Sequence, residues 1–172
     1  CLSISNELIA QGLGSFRPLK GRFHFIDLNS GIRIIDDTYN ANLSSLRAAL
    51  QTIKGLVGKN QGLVIGLGEM MELGKESPKY HFDAGQLVAG MGARYLVVMG
   101  EHGRNVIEGA CQGGMDREQT HIATTHAEMS DAIKAHVRKG DVIFMKGSRK
   151  AALDKVVEGI SEYFWLSASI RK

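Results

Sequence analysis

Asp36-Asp37-Thr38-Tyr39-Asn40-Ala41-Asn42 joins an apolar run (Ile32, Ile34, Ile35) to an amphipathic one (Leu46, Ala49, Leu50, Ile53). The first run fits a strand, and the second repeats at the three- and four-residue intervals of a helix face. Two carboxylates and two carboxamides therefore share a strand-to-helix turn. In an α/β sheet such a turn lies at the carboxyl edge of the strands, where ligands bind. Asn42 suits the N-cap, because its side chain can accept a bond from a free N–H of the first helical turn. Capping explains one residue of the seven. Asp36, Asp37 and Asn40 either complete the turn or form a ligand site.

Working outward, Arg22 to Leu28 alternates about Phe23 and Phe25, Asn29-Ser30-Gly31 signals a turn, and Ile32 to Ile35 returns. The pair reads as a β-hairpin. Before it, Ser5 to Leu13 reads as a short helix ended by Gly14, with a connector starting at Arg17-Pro18. After it, strands alternate with helices. Strands are expected over Gly62–Leu67, Tyr95–Met99, Gln119–Ala123 and Asp141–Met145. Helices are expected over Pro78–Met91, Asn105–Cys111, His126–Val137 and Arg149–Phe164. Apolar strands between amphipathic helices imply parallel strands covered on both faces. With right-handed crossovers the fold class is α/β. The pattern predicts a Rossmann-like, doubly wound, mostly parallel sheet with an antiparallel β-hairpin at its N-terminal edge.

The 172 residues, 44% hydrophobic and 23% charged, suit one domain with a real core and a short appendage. A net charge of +3, scattered along the chain, does not point to nucleic acid. No apolar run approaches the roughly 20 residues that span a bilayer, so no membrane insertion is expected. Cys1 to Glu7 lacks the basic start and apolar core of a signal peptide. Cys1 and Cys111 make neither a metal spacing nor a disulfide framework. A cytoplasmic location fits. The start on Cys rather than Met suggests a piece of something longer.

Three further groups fall on strand ends. Lys146-Gly147-Ser148-Arg149 follows a strand and precedes a helix, with Ser148 as expected N-cap. Free N–H groups, a positive dipole end and two cations would make an anion site, and Gly147 would let a ligand approach the backbone. The plain alternative is a simple cap with solvated cations. Gly66-Leu67-Gly68-Glu69-Met70-Met71-Glu72-Leu73-Gly74 resembles a dinucleotide fingerprint, but Met71 stands where the third glycine belongs, which excludes a nicotinamide reading. This acidic loop can order around an ammonium group, or serve only as a surface loop. Arg22 reads by itself as a solvated strand residue. His81 reads as a packing or surface histidine, and His24, His102, His121, His126 and His136 form no metal-ligand spacing. No Gly-x-x-x-x-Gly-Lys-Ser/Thr occurs, so no loop cradles the β and γ phosphates of ATP. No catalytic Ser/His/Asp or Cys set is visible.

Gly21-Arg22, the Asp36–Asn42 stretch, Gly68–Gly74 and Lys146–Arg149 occur in the order and spacing of one domain. Over about Gly21 to Phe164 the chain resembles the C-terminal domain of the Mur ligase family. Its Tyr-Asn-Ala-Asn core and Lys-Gly-Ser-Arg turn favour the branch that uses D-alanyl-D-alanine. The resemblance implies ATP-dependent amide formation in peptidoglycan synthesis. The carboxylate of UDP-N-acetylmuramoyl-tripeptide takes the γ-phosphoryl group, and the dipeptide amine attacks the acyl phosphate. It also implies roles by position. Arg22 reaches the ATP phosphates, Asp37 holds the ribose hydroxyls, and Asn40 and Asn42 lie near the adenine side. Lys146, Ser148 and Arg149 help hold the peptide substrates. Glu69, one methylene longer than the Asp of relatives, joins them. Leu43 stands where Pro is common, at a site that needs only a first-turn helix residue.

On the same resemblance, residues 1–20 are the tail of an ATP-binding domain, 21–166 the C-terminal domain and 167–172 a tail. ATP and Mg2+ are bound mainly by the missing central domain, and no catalytic or metal residue is assigned in this chain. The fragment is therefore expected to be inactive alone. The alternatives are a stand-alone nucleotide- or anion-binding module and a structural α/β domain that pairs with a partner protein.

Overall fold

The computed structural model describes residues 4–16, 18–58 and 60–169. The expectations for Cys1, for Arg17 as the start of a connector and for the end of the 167–172 tail lie outside the described residues.

Helix α1 spans Asn6–Ser15, with the Ser5 hydroxyl accepting from Leu8 N–H, and it buries none of its residues. Strands β1 (His24–Asp27) and β2 (Arg33–Asp37) pair antiparallel, with Phe25 opposite Ile35. Gly31 closes the hairpin at φ +75°, a left-handed conformation that glycine adopts without a steric penalty. Helix α2 runs Leu43–Leu56. Asn42 caps it in a reciprocal box with Ser45, and Leu46, Ala49, Leu50 and Ile53 form its buried face.

Strand β3 (Leu63–Gly68), helix α3 (Ser77–Ala89), strand β4 (Tyr95–Met99) and helix α4 (Gly103–Gln112) follow. Strand β5 (Thr120–Ile122), helix α5 (His126–His136) and strand β6 (Val142–Lys146) complete the alternation, and helix α6 (Asp154–Ser169) ends it. The sheet order is β1-β2-β6-β3-β4-β5, parallel except for the hairpin.

That order distributes the helices. The connections from β2 to β3, β3 to β4 and β4 to β5 all advance toward the β5 edge, so right-handed crossovers put α2, α3 and α4 on one face. The connection from β5 to β6 runs back and puts α5 on the other face, beside α6. Neighbouring residues of one strand serve opposite cores. Ile35 and Phe144 pack toward α2, α3 and α4, while Ile34, Ile143 and Met145 pack with Met129, Ile133, Val156 and Ile160 of α5 and α6. Burying each such side chain contributes about 1.5–3 kcal/mol.

The last helix differs from expectation. Arg149–Ala151 is a single 3-10 turn, Ala152 adopts a left-handed conformation at φ +49°, and α6 starts only at Asp154. The reversal lets Leu153, fully buried, drop onto Gly147 and Gly68. A helix run straight from Arg149 would forgo that packing.

Candidate functional site

β2, β6, β3 and β4 end side by side, and their turns carry the polar residues. Asp36 and Asp37 divide the work between them. Asp36 is fully buried and accepts bonds from Gly21 N–H (3.0 Å), Thr38 N–H (3.2 Å) and the Thr38 hydroxyl (2.6 Å). It ties the segment before the hairpin to the end of β2. Asp37 accepts from Phe23 N–H at 3.2 Å and from Lys146 Nζ at 2.6 Å. Lys146 also donates to the Asn40 carbonyl at 2.9 Å and is only 3% exposed.

Asp37 and Lys146 are partners in the β2–β6 register, so two neighbouring strands deliver opposite charges to one point. Removing Asp37 leaves the buried Lys146 ammonium uncompensated, which costs up to about 3–5 kcal/mol. Lys146, expected to help hold the peptide substrates, points inward onto Asp37. Asn40 is exposed and its side-chain oxygen accepts from Ala41 N–H at 2.9 Å, while the Asn42 side chain is committed to its cap.

Arg22 and Arg149 converge on Tyr39. Their guanidinium carbons lie 4.1 Å and 5.6 Å from its ring centroid. Beside them opens a cavity of about 320 Å³ lined by Lys20, Gly21, Thr38, Tyr39, Arg149, Ala152 and Asp154. Lys20 is paired with Glu158 at 2.6 Å, and that bond raises the ammonium above its usual pKa.

Glu69 joins the loops after β3 and β4. It accepts from His102 Nδ1 at 2.7 Å and from His102 N–H at 3.2 Å. Gly100, at φ +137°, leaves room for it: a side chain there would strike the Glu69 carboxylate. His81 is buried, stacked on His102 with ring centroids 4.9 Å apart. Its Nε2 accepts from Met70 N–H at 3.0 Å, so its Nδ1 carries the proton and donates to the Ser77 carbonyl at 2.8 Å.

Glu69, His81 and His102 bring three possible metal-ligand atoms within 4.8 Å of one another. The donor chemistry does not suit a metal, because the one lone pair of His81 Nε2 already satisfies a buried N–H. The trio is a brace, with Glu69 hydrogen-bonded to His102 and His81 stacked on the His102 ring. Positions 69, 81 and 102 follow no ligand spacing, and nothing in the sequence signals the grouping. A second cavity of about 400 Å³ opens beside it, lined by Glu69, Glu72, Glu101, His102 and Lys150 among others.

The segment 147–152 differs most from the sequence reading. The Ser148 hydroxyl makes no capping bond and is buried without a partner, while its N–H donates to the Glu69 carbonyl at 3.1 Å. No α-helix begins there, so no helix dipole supports the expected anion site. Gly147 makes room for Leu153 rather than for a ligand. The 3-10 turn instead separates the two cavities: Arg149 and Ala152 line the first, Lys150 and Ala151 the second.

The structure thus brings Arg22 and Arg149 to one ring, and Asp37, Asn40 and Lys146 to one knot beside it. Glu69 lies at the second cavity, and Asn42 is spent on α2. Lys20, Tyr39, His81, His102 and Lys150 were not singled out for these places by the sequence reading.

Comparison with known proteins identifies the family of this domain. The family described as "Mur ligase, glutamate ligase domain" matches residues 21–149. UDP-N-acetylmuramoyl-tripeptide–D-alanyl-D-alanine ligase of Bacillus subtilis is 30% identical over 159 residues, covering 92% of this chain and 34% of the relative. The ligase of the same name from Escherichia coli is 28% identical over 158 residues, covering 91% and 33%. The chain therefore spans about a third of the length of these relatives.

Among solved structures, MurF from Acinetobacter baumannii superposes with a TM-score of 0.77 at 30% identity, over 94% of this chain and 35% of that one. MurF from Thermotoga maritima in complex with ADP superposes with a TM-score of 0.68 at 21% identity, over 90% and 36%, a likeness of fold alone. With the family's pattern along three-quarters of its length, 21–149 of 172 residues, the chain belongs to the Mur ligase glutamate ligase domain family.

Proposed function

We propose that this chain is the closing domain of an ATP-dependent ligase that joins D-alanyl-D-alanine to UDP-N-acetylmuramoyl-tripeptide in the cytoplasm. On this reading residues 21–166 form the domain and residues 1–20 lead in from an ATP-binding domain. The observation that carries it is the pair of cavities on the carboxyl rim, one edged by Arg22 and Arg149, unpaired among the described residues, and one largely acidic, on either side of the Arg149–Ala152 turn. A reaction that uses a polyphosphate and an amine needs one of each.

In the reaction, the tripeptide carboxylate attacks the γ-phosphorus of ATP and ADP leaves. The dipeptide amine, deprotonated, then attacks the acyl carbon. The C–O bond to phosphate breaks, phosphate leaves with that electron pair, and the amine gives up a proton. A carboxylate is a poor electrophile, and the mixed anhydride corrects that. Arg22 approaches the phosphates on domain closure, and Asp37 keeps lone pairs for the ribose hydroxyls while it holds Lys146. In the second cavity Glu69, Glu72 and Glu101 attract the dipeptide ammonium, and Lys150, in place of the inward-turned Lys146, meets its carboxylate.

The Mg2+ implied for the reaction does not fit the trio at Glu69. It takes oxygen ligands, and the trio at Glu69 supplies two imidazoles. No step in this chain passes through it.

The test is Asp37→Asn in the full-length protein that carries this chain. Losing a hydrogen bond from ribose to a charged group should raise the KM for ATP about tenfold or more with kcat less affected. An unchanged KM removes Asp37 from the nucleotide site.

A further inference from the structure

Arg22 and Arg149 carry like charge and come from opposite ends of the domain, yet both guanidinium carbons lie within 5.6 Å of one ring centroid. Among the described residues neither forms an ion pair with a carboxylate. Two guanidinium groups gathered without a neutralising partner repel each other, and the ring's negative face is what opposes that repulsion.

The ring is itself held. Tyr39 N–H donates to the Gly21 carbonyl at 2.9 Å, and a Cβ at Gly21 would lie 3.3 Å from that of Tyr39. The preceding Thr38 is buried and bonded to Asp36. A backbone fixed on both counts presents a ring that is 40% exposed at the edge of the first cavity. Two planar forks beside one cavity suit an anion with several oxygens along a chain, each fork taking a pair of them.

We propose that Tyr39 is a positioning residue whose ring holds Arg22 and Arg149 together as one clamp for a polyphosphate. The inference rests on the proposed nucleotide side of the domain and adds to it what assembles the clamp. Removing the ring leaves both cations present but uncoupled. Removing only its hydroxyl leaves the clamp intact.

The test is side-chain NMR of the arginine Nε–H groups in the full-length protein that carries this chain, titrated with inorganic tripolyphosphate, ADP and AMP. Tripolyphosphate and ADP should shift the Arg22 and Arg149 signals with a single midpoint, and AMP more weakly. Tyr39→Leu should weaken tripolyphosphate binding about tenfold and give the two arginines separate midpoints, whereas Tyr39→Phe should stay within about twofold of the parent.

If Tyr39→Leu binds like the parent while Arg22→Ala and Arg149→Ala lose binding, the positioning role fails and the nucleotide reading stands. If Tyr39→Phe falls with Tyr39→Leu, the hydroxyl rather than the ring is at work, and the inference is likewise overturned. If neither arginine of the parent responds to any of the three anions, the nucleotide reading of this cavity falls, and the clamp falls with it.

Discussion

Glu128 shows how one side chain can be over-determined without being buried. It sits in the first turn of α5 and accepts from Thr124 N–H and from the Thr124 hydroxyl, both at 2.7 Å, and from His121 Nε2 at 2.9 Å. These bonds, the Thr124 backbone bond foremost, hold its carboxyl down at about 2, from an ordinary 4.5. A depressed folded value means the stabilisation is complete above the ordinary value and is lost as pH falls toward the depressed one. Thermal melts of the parent and Glu128→Gln should therefore differ in Tm by a constant amount above about pH 5. The difference should shrink through pH 4 and 3. A gap that does not change with pH would mean the charge is irrelevant. At this scale the sequence was partly legible. Asn42 as a cap could be read, because it acts on the Ser45 N–H only three residues on. The inward turn of Lys146 could not, since it depends on which strand lies beside β2. The His81–His102 stack brings together residues with no common spacing.

Helices α3 and α4 meet through glycine. A Cβ on Gly85 would run into the Val106 carbonyl oxygen, and one on Gly109 into that of Phe82. The backbones lie too close for any side chain to intervene. Gly109→Ala should thus cost about 1–3 kcal/mol or more, although alanine is the better helix former by about 1 kcal/mol. Urea denaturation would show it as a lower midpoint at unchanged slope, and a midpoint equal to or above the parent's would contradict the close crossing. Element positions were legible where periodicity and punctuation agree. β4 has the bounds Tyr95–Met99 that its apolar run predicts, and α2 buries the four residues its spacing selects. The sequence pattern places the start of α6 five residues early, because Ala152 carries no mark of its left-handed conformation. Glycine or asparagine there would have signalled the break.

At the scale of the whole molecule, the alternation of strands and helices and the edge hairpin were legible, but the insertion of β6 between β2 and β3 was not. Periodicity says which residues are buried and is silent on strand order. That insertion brings Lys146 to Asp37 and opens the rim on which the cavities lie. Among the described residues no helix is long and apolar enough to cross a membrane. Helix α1 stands apart from the core, with Leu8 61% and Leu13 72% exposed. Such a face suits the proposed lead-in from another domain. With no Gly-x-x-x-x-Gly-Lys-Ser/Thr loop in the sequence, this chain should release no phosphate when mixed with ATP, the tripeptide nucleotide and the dipeptide. A phosphate-release assay above the buffer rate would place catalysis within these residues.

The stretch from Arg149 to Ala152 is a party wall one turn thick, with a chamber on each side. A guest that displaces such a wall alters the room next door. Reciprocity then requires that each guest change the other's dissociation constant by the same factor. Affinities for the two ligands would in that case be properties of a pair, and each would have to be measured with the other present as well as absent.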